Sequence, residues 1–473
     1  MKANPLIRVL PLAAALALAG CMNLAPVHQR PDAPVPATLG AADATGPALQ
    51  ASEVARGQAQ ALGWVRSAPL QQVIALALSN NRDLQVALLN IERARALYGV
   101  QQADLLPTVA ASSQGTRART AADLTTAGRS QLSSQYNVQL GFTSFELDLW
   151  GRVRNLNEAA LQQFLSTEET RRNVQLGLVA DVANAWLTLA ADQARLQLAQ
   201  DTQRGRERSL ALTQRIFELG GTSGLVLAQA QSALETARVD VAAFTSQVAR
   251  DRNALQLLVG GPLPADLWPA ALQPGVHEAA ALLPVPAPLP SSVLLERPDI
   301  RVAERTLQAA SANIGAARAA LFPTISLTAS AGTASNELSG LFGAGNGTWS
   351  FAPGIRLPIF DGGRGQANVR VAELNQQVAV AQYEKAVQVA FREVSDALAD
   401  RATWADRLGA QHALVTASQK ALDLSQARFT AGTDNYLTVL DAQRSLYAAQ
   451  QTLIGLQLAE QLNRITFYKV LGG

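Results

Sequence analysis

Phe322-Pro323-Thr324-Ile325-Ser326-Leu327-Thr328-Ala329-Ser330-Ala331 sets Ile325, Leu327, Ala329 and Ala331 on one side of an extended chain and Thr324, Ser326, Thr328 and Ser330 on the other. The period is two, so the segment predicts a strand with one apolar face. The alternation returns at Trp349, Phe351, Ile355, Leu357 and Ile359, set against Ser350, Gly354 and Arg356. It is fainter at Tyr136, Val138, Leu140 and Phe142, set against Asn137, Gln139, Gly141 and Thr143. Two hairpins of roughly ten-residue strands follow, the length of a tilted bilayer crossing.

Working outward, the hairpins belong to a tandem repeat. Asp83-Leu84-Gln85-Val86-Ala87 matches Asp299-Ile300-Arg301-Val302-Ala303, and Leu106-Pro107-Thr108 matches Phe322-Pro323-Thr324, at a shift of 216. Beyond Gly151-Arg152 and Gly363-Arg364 the shift is 212, as in Phe217 to Gly220 against Phe429 to Gly432, Ala230-Gln231 against Ala442-Gln443, and Val259-Gly260-Gly261 against Leu471-Gly472-Gly473. The lost four residues fall between Pro107 and Arg152, which predicts a shorter loop in the second copy. Residues 69–261 form the first copy, 293–473 the second, and the proline-rich stretch 262–292 a linker without elements of its own.

Residues 152–219 and 364–431 contain no proline, and a helix of that length would run on the order of 100 Å. In the second copy the four-three spacing Val387, Phe391, Val394, Leu398, Arg401, Ala405, Leu408, His412, Val415 reads as a coiled-coil seam, with His412 a packed or partly exposed interface residue. The first copy shows the seam less fully, through Val179, Val182, Trp186, Leu189 and Leu196. Each rod stops at Gly220-Gly221 or Gly432-Thr433 and turns back into another helix.

At the N-terminus, residues 1–20 read as a secretory signal, with Lys2 and Arg8 before an apolar run too short to span a bilayer. Leu18-Ala19-Gly20-Cys21 resembles a bacterial lipobox, which implies a lipid on Cys21, and Met22 in place of Asp implies sorting to the outer membrane. The chance alternative is a Cys after an ordinary signal. Residues 21–68, rich in proline, read as an extended tether. No later run of about 18 apolar residues occurs, so any spanning element must be β. Lys and Arg number 39 against 37 Asp and Glu, and removal of the signal equalises them, which argues against nucleic acid as a partner. The single cysteine excludes internal disulfides and Cys-built metal sites, and three scattered histidines, His28, His277 and His412, disfavour a His-built one.

Four strands cannot close a barrel, which needs roughly eight, and an open edge cannot sit in lipid. The chain must oligomerise if the strands span, and a trimer would supply twelve; the alternative is a small soluble sheet. In these features the chain resembles the TolC-like outer-membrane factors of bacterial export systems, specifically their OprM- and NodT-like lipoprotein branch. The resemblance rests on the lipobox, on Leu106-Pro107-Thr108 and Phe322-Pro323-Thr324, on Asp148-Leu149-Trp150-Gly151-Arg152, and on Arg428 to Gly432 with Leu440 to Gln443. It implies a mainly α fold with transmembrane β: a homotrimeric twelve-stranded β-barrel on a periplasmic α-barrel. The trimer would stand in outer-membrane lipid as a passive duct fed by an inner-membrane pump of the resistance-nodulation-division class through a periplasmic adaptor. The resemblance also places a closing ring of leucine and aspartate on Leu437 and Asp441, one helical turn apart. Where relatives carry polar locks this chain has Val226 and Thr438, so Arg428 and Asp434 stand as the substitutes. The turns Gly220-Gly221-Thr222-Ser223 and Gly432-Thr433-Asp434-Asn435 are the candidate adaptor contacts.

Enzyme chemistry is not legible. There is no phosphate-binding Gly-x-x-x-x-Gly-Lys loop, nucleophile triad or zinc-protease helix. Gly343 to Gly347 fits a hairpin turn, and Gly362-Gly363-Arg364-Gly365, echoed at Gly151-Arg152, fits a strand-to-helix junction. Carboxylates such as Glu168-Glu169 have no evident convergent partner, and no cofactor is expected beyond the lipid on Cys21. The rival from another class is a structural or adaptor-like periplasmic coiled-coil lipoprotein without a channel.

Overall fold

The computed structural model describes residues 22–39, 65–272 and 289–472. The signal sequence, Cys21, His277 and most of the linker lie outside these residues. In chain order the elements are β1 (Thr38–Leu39), α1 (Ala68–Asn80), α2 (Arg82–Ala103), β2 (Ala110–Thr120), β3 (Gln131–Leu147), α3 (Arg152–Glu218) and α4 (Gly224–Val259). Then follow β4 (Leu289–Pro290), α5 (Pro298–Ala319), β5 (Thr324–Ser335), β6 (Gly347–Arg356), α6 (Arg364–Thr430) and α7 (Tyr436–Val470). Two compact units cut across the repeats: Met1–Asp32 with Asn90–Glu168 and Val302–Glu384, and Ala33–Leu89 with Glu169–Arg301 and Lys385–Gly473.

The first unit holds one antiparallel sheet of order β2-β3-β5-β6, the two hairpins joined along β3 and β5. Paired residues share a face, and one face is apolar row by row: Ile355–Ile325–Leu147, Pro353–Leu327–Phe145, Phe351–Ala329–Phe142 and Trp349–Ala331–Leu140. The other face carries Ser326 opposite Glu146, and Ser330 with Ser350, whose hydroxyls lie 2.8 Å apart. A bulge between Phe142 and Phe145 keeps these rows in phase, with Ser144 held at φ 53°. Gly141 and Gly332 stand where a Cβ would strike the facing backbone, so the two repeats meet there only because neither residue has one.

The connections 121–130 and 336–346 within the hairpins are nearly equal, so the second copy does not have the shorter loop that the repeat predicts. The length difference lies in the strand before each long helix: β3 runs 17 residues with its bulge, β6 only 10. Pro358 marks why the alternation that continues to Ile359 outlasts the strand, which stops at Arg356.

In the second unit, Leu70, Val73 and Ile74 of α1, Leu187 and Leu189 of α3 and Leu255 of α4 form a fully enclosed core, each worth about 1.5–3 kcal/mol of burial. An 18-residue window of α3 is apolar enough to cross a membrane, yet 61% of it is buried, which marks a core helix. The linker, read from sequence as free of elements, carries β4 and buried side chains at its described ends: Leu263 and Leu267 are buried, Trp186 Nε1 donates to Leu267 O at 3.2 Å, and Leu289–Pro290 pairs with Thr38–Leu39.

The seam of the second rod also differs from its sequence reading. Its inward positions are Val387, Ala390, Val394, Ala397, Arg401, Trp404, Leu408, Gln411, Val415, Ser418, Leu422, Ser425 and Phe429, all buried or half-buried in an unbroken three-four alternation. Phe391, Leu398, Ala405 and His412 each fall one residue off it. Gln411, not His412, takes the inner place and donates to Ala449 O at 2.8 Å. In the first rod Val179, Val182, Trp186 and Leu189 are buried as the seam reading requires.

The repeat holds at the level of single bonds. Asn81 Nδ2 donates to Leu258 O at 2.9 Å, and the residues that match them, Arg297 and Val470, are joined by Arg297 Nη1 donating to Val470 O at 3.0 Å.

Candidate functional site

Both helical turns expected to meet a partner are built alike. Gly220 (φ 74°) and Gly432 (φ 71°) end α3 and α6 in the left-handed conformation, and Gly221 N and Thr433 N reach back five residues to Ile216 O and Arg428 O at 2.9 and 3.0 Å. Ser223 and Asn435 then cap α4 and α7, accepting from Val226 N at 3.4 Å and Thr438 N at 3.2 Å. Schellman stop and side-chain start leave no backbone slack, so each tip is a rigid reversal.

Their side chains differ. The first tip exposes Phe217, Leu219 and Leu225, which the sequence reading did not single out. The second is polar: Arg428 Nε lies 3.3 Å from Asp434 Oδ2, and Asp434 Oδ1 accepts from Asn435 N at 2.8 Å and Thr438 Oγ1 at 3.1 Å. The structure thus brings Arg428, Asp434 and Thr438 together within one tip.

Leu437 and Asp441 stand on the first turn and a half of α7 with 40% and 77% exposure, so Leu437 is not a core residue of the single chain. Among the described residues Asp441 has Arg444 within reach, at 3.9 Å. Behind them, Tyr436, Val439 and Leu440 pack with Ala230 and Ala233 of α4 and Leu422 of α6. The Tyr436 ring packs tilted against Phe429, centroids 5.4 Å apart, and burial raises its pKa despite hydrogen bonds to Ser209 and Thr213. The face presenting Leu437 and Asp441 is therefore aimed by a buried aromatic anchor one residue away.

Sequence reasoning also missed a polar cluster one level deeper. Arg206 is buried and donates to Ala233 O, with its guanidinium 5.9 Å from the Tyr447 ring. Tyr447 Oη donates to Asp240 Oδ2 at 3.1 Å, and burial together with that carboxylate pushes its pKa up to about 12. Glu169, given no partner in the sequence reading, bonds Arg172 at 3.0 Å. At the strand-to-helix junctions, each helix start is already taken by a carboxylate of the chain. Asp148 Oδ2 accepts from Arg154 N at 2.8 Å, and Asp361 accepts from Gly365 N and Gly363 N, which hold its pKa down. Among the described residues no cluster of His, Cys, Asp and Glu has metal-site geometry.

The family model described as "Outer membrane efflux protein" matches residues 73–261 and 289–473. The toluene efflux pump outer membrane protein TtgC of Pseudomonas putida is 46% identical over 462 residues, covering 97% of this chain and 94% of that protein. A crystal structure of a membrane protein from Pseudomonas aeruginosa superposes with a TM-score of 0.86 at 41% identity, over 95% of this chain and 97% of that one. A structure of CusC, a protein that undergoes conformational changes accompanying folding and transmembrane channel formation, gives 0.85 at 38% identity over 95% of this chain and 100% of that one.

Proposed function

The chain belongs to the outer membrane efflux protein family, and from that membership we propose that it is the outer-membrane channel subunit of an efflux system, a passive duct for small molecules. The observation that carries this reading is the sheet. Its apolar face is bare, with Trp349 81% exposed, and its polar face suits a water-filled lumen. Edges β2 and β6 remain unpaired among the described residues, an arrangement lipid does not tolerate until they close on further copies.

Three copies would close twelve strands, and the repeat itself indicates how they meet. In the second copy α5 is held on two sides, by Gln376 Nε2 of α6 donating to Ser311 Oγ at 3.2 Å, and by its own Arg305 Nη1 donating to Gln162 Oε1 of α3 at 3.2 Å. Moved back through the repeat, the first pair becomes Arg95 and Phe164, and Arg95 does lie over the Phe164 ring at 5.5 Å. The second pair becomes Leu89 and Leu374, both left exposed, at 60% and 42%. A neighbouring copy that brings its Leu374 to Leu89 completes the contact. The same shift brings Ala367 of one copy to Gly99 of the next, matching Asn155 at Gly315.

In this reading Leu437 and Asp441 form the resting gate at the tips, with Arg428 and Asp434 locking the second turn. Gly220 to Ser223 and Gly432 to Asn435 receive a periplasmic adaptor that links the duct to an inner-membrane pump of the resistance-nodulation-division class. A lipid on Cys21 anchors the chain. The energy comes from the pump. Mass photometry in detergent, combined with single-channel recording in a planar bilayer, tests it: a trimer nearly closed at rest is expected, and a non-conducting monomer overturns it.

A further inference from the structure

The two hairpins differ at one buried point. On α3, Asp192 is 4% exposed, and its Oδ1 accepts from Arg195 Nη1 at 2.6 Å. On α4, Asp251 Oδ1 accepts from Gln247 Nε2 at 2.7 Å, while its Oδ2 is enclosed and receives no hydrogen bond among the described residues. Asp192 stands one turn beyond Leu189 and Asp251 lies between Val248 and Leu255, residues of one packed core, so the two carboxyl groups are neighbours, and Asp192 bears on Asp251 through both hydrogen bonding and charge.

The other described groups around the pair are accounted for. Arg195 serves Asp192, Arg250 on α4 is exposed and also bonds Ser246, and Arg252 lies over the Trp268 ring. Ala191 and Ala194, flanking Asp192, pack against Ile454 and Leu458 of α7 and Ala271 and Leu272 after α4, which bring no charge. Two ionised carboxylates in contact, one with an unserved oxygen, repel; one proton between them converts the repulsion to a hydrogen bond. The helical frame does not require this pair, since the matching residues of the second copy are Trp404 and Asn463, and Asn463 donates to Ala397 O at 3.2 Å.

We propose that Asp251 takes up a proton and donates it to the buried Asp192, so that the two act as a pH-operated clasp between the helices of the first hairpin, closed in acid and loosened towards neutrality. Burial first, then the hydrogen bond and the charge of Asp192, raise the Asp251 pKa to about 6, against the usual 3.8, while Gln247 and Arg250 oppose the shift. For an acid whose folded pKa is raised, the stabilisation is complete below about 3.8, falls as pH rises to about 6, and is spent above it. The hairpin bearing Gly220 to Ser223 is thus stiffest in an acidified periplasm. This inference stands whether or not those tips meet an adaptor.

Hydrogen–deuterium exchange of the intact protein in lipid nanodiscs, corrected for intrinsic rates, provides the test. Between pH 7.5 and pH 5, amides of 247–255 should gain about tenfold protection, and those around Asn463 on α7 none. Asp251→Asn should abolish the pH dependence and hold the protected level at both pH values, with Asp192→Asn as the second variant. The clasp is overturned if wild type shows no gain confined to the first hairpin, or if either variant keeps the full tenfold change. Because exchange does not require conduction, failure here is distinguishable from failure of the channel reading.

Discussion

Helices α2 and α5 occupy the same place in the two repeats and have opposite surroundings. Of α2 only Leu84 is buried; of α5 nearly every residue is at least half-covered, including Ile300, Leu307 and Ile314 at about complete burial. Their sequences do not explain the contrast, because α2 is the richer in large aliphatics, with Val86, Leu88, Leu89, Leu97 and Val100 exposed. Neighbours explain it: α5 is bonded to both α3 and α6, whereas among the described residues α2 beyond Leu84 is met on its α3 side, by Phe164 under Arg95. In the proposed trimer, the face left open on α2 is the one that a second copy covers.

The strongest way to break this comparison is to charge the open seam. Leu89→Glu is expected to abolish the trimer in size measurements, and adding Leu374→Lys to restore it; a Leu89→Glu trimer of wild-type stability would place the seam elsewhere. Gly99→Cys with Ala367→Cys should give covalent trimers on non-reducing gels, and neither single variant should.

Next in size, Asp441→Ala and Leu437→Ala should raise single-channel conductance or open probability several-fold, because both side chains stand free of the core in each copy. Unchanged recordings would remove the pair from the gate.

The matched anchors Arg297 and Asn81 sharpen the comparison further. Arg297 is buried and serves Asp299, Glu393 and Val470 O together, so Arg297→Ala should cost about 2–4 kcal/mol once the partial exposure of its two acids is discounted. Asn81→Ala loses the cap to Leu84 N and the bond to Leu258 O, at about 1–2 kcal/mol. Denaturant midpoints of the two variants in the same detergent would rank them; the reverse order would mean that the two anchors are not equivalent.

Smallest, Ser223→Ala and Asn435→Ala should each cost about 1 kcal/mol, seen as faster exchange in the first turns of α4 and α7. A much larger effect at one tip would show that its cap also serves a partner.

Much of the fold was legible from local signals. Alternation at Thr324 to Ala331 placed β5, freedom from proline bounded α3 and α6 to within a residue, and Gly220 and Gly432 marked both reversals. The seam of α6 was misread by one residue at alternate steps because Phe391 and Leu398 outweigh Ala390 and Ala397 in hydrophobicity. Close helix packing favours the smaller pair. The Arg206, Tyr447 and Asp240 cluster and the Asp192–Asp251 pair were invisible, since their members come from different helices and follow no shared spacing.

The sequence by itself determined the two periods, the duplication and the stops, because each depends on sterics and solvation within a few residues. The tertiary structure alone decided which face of α6 turns inward, which polar side chains converge and which of two matched helices stays open. Those outcomes depend on what a neighbouring element brings within a few ångströms, and a linear pattern does not encode its own neighbours.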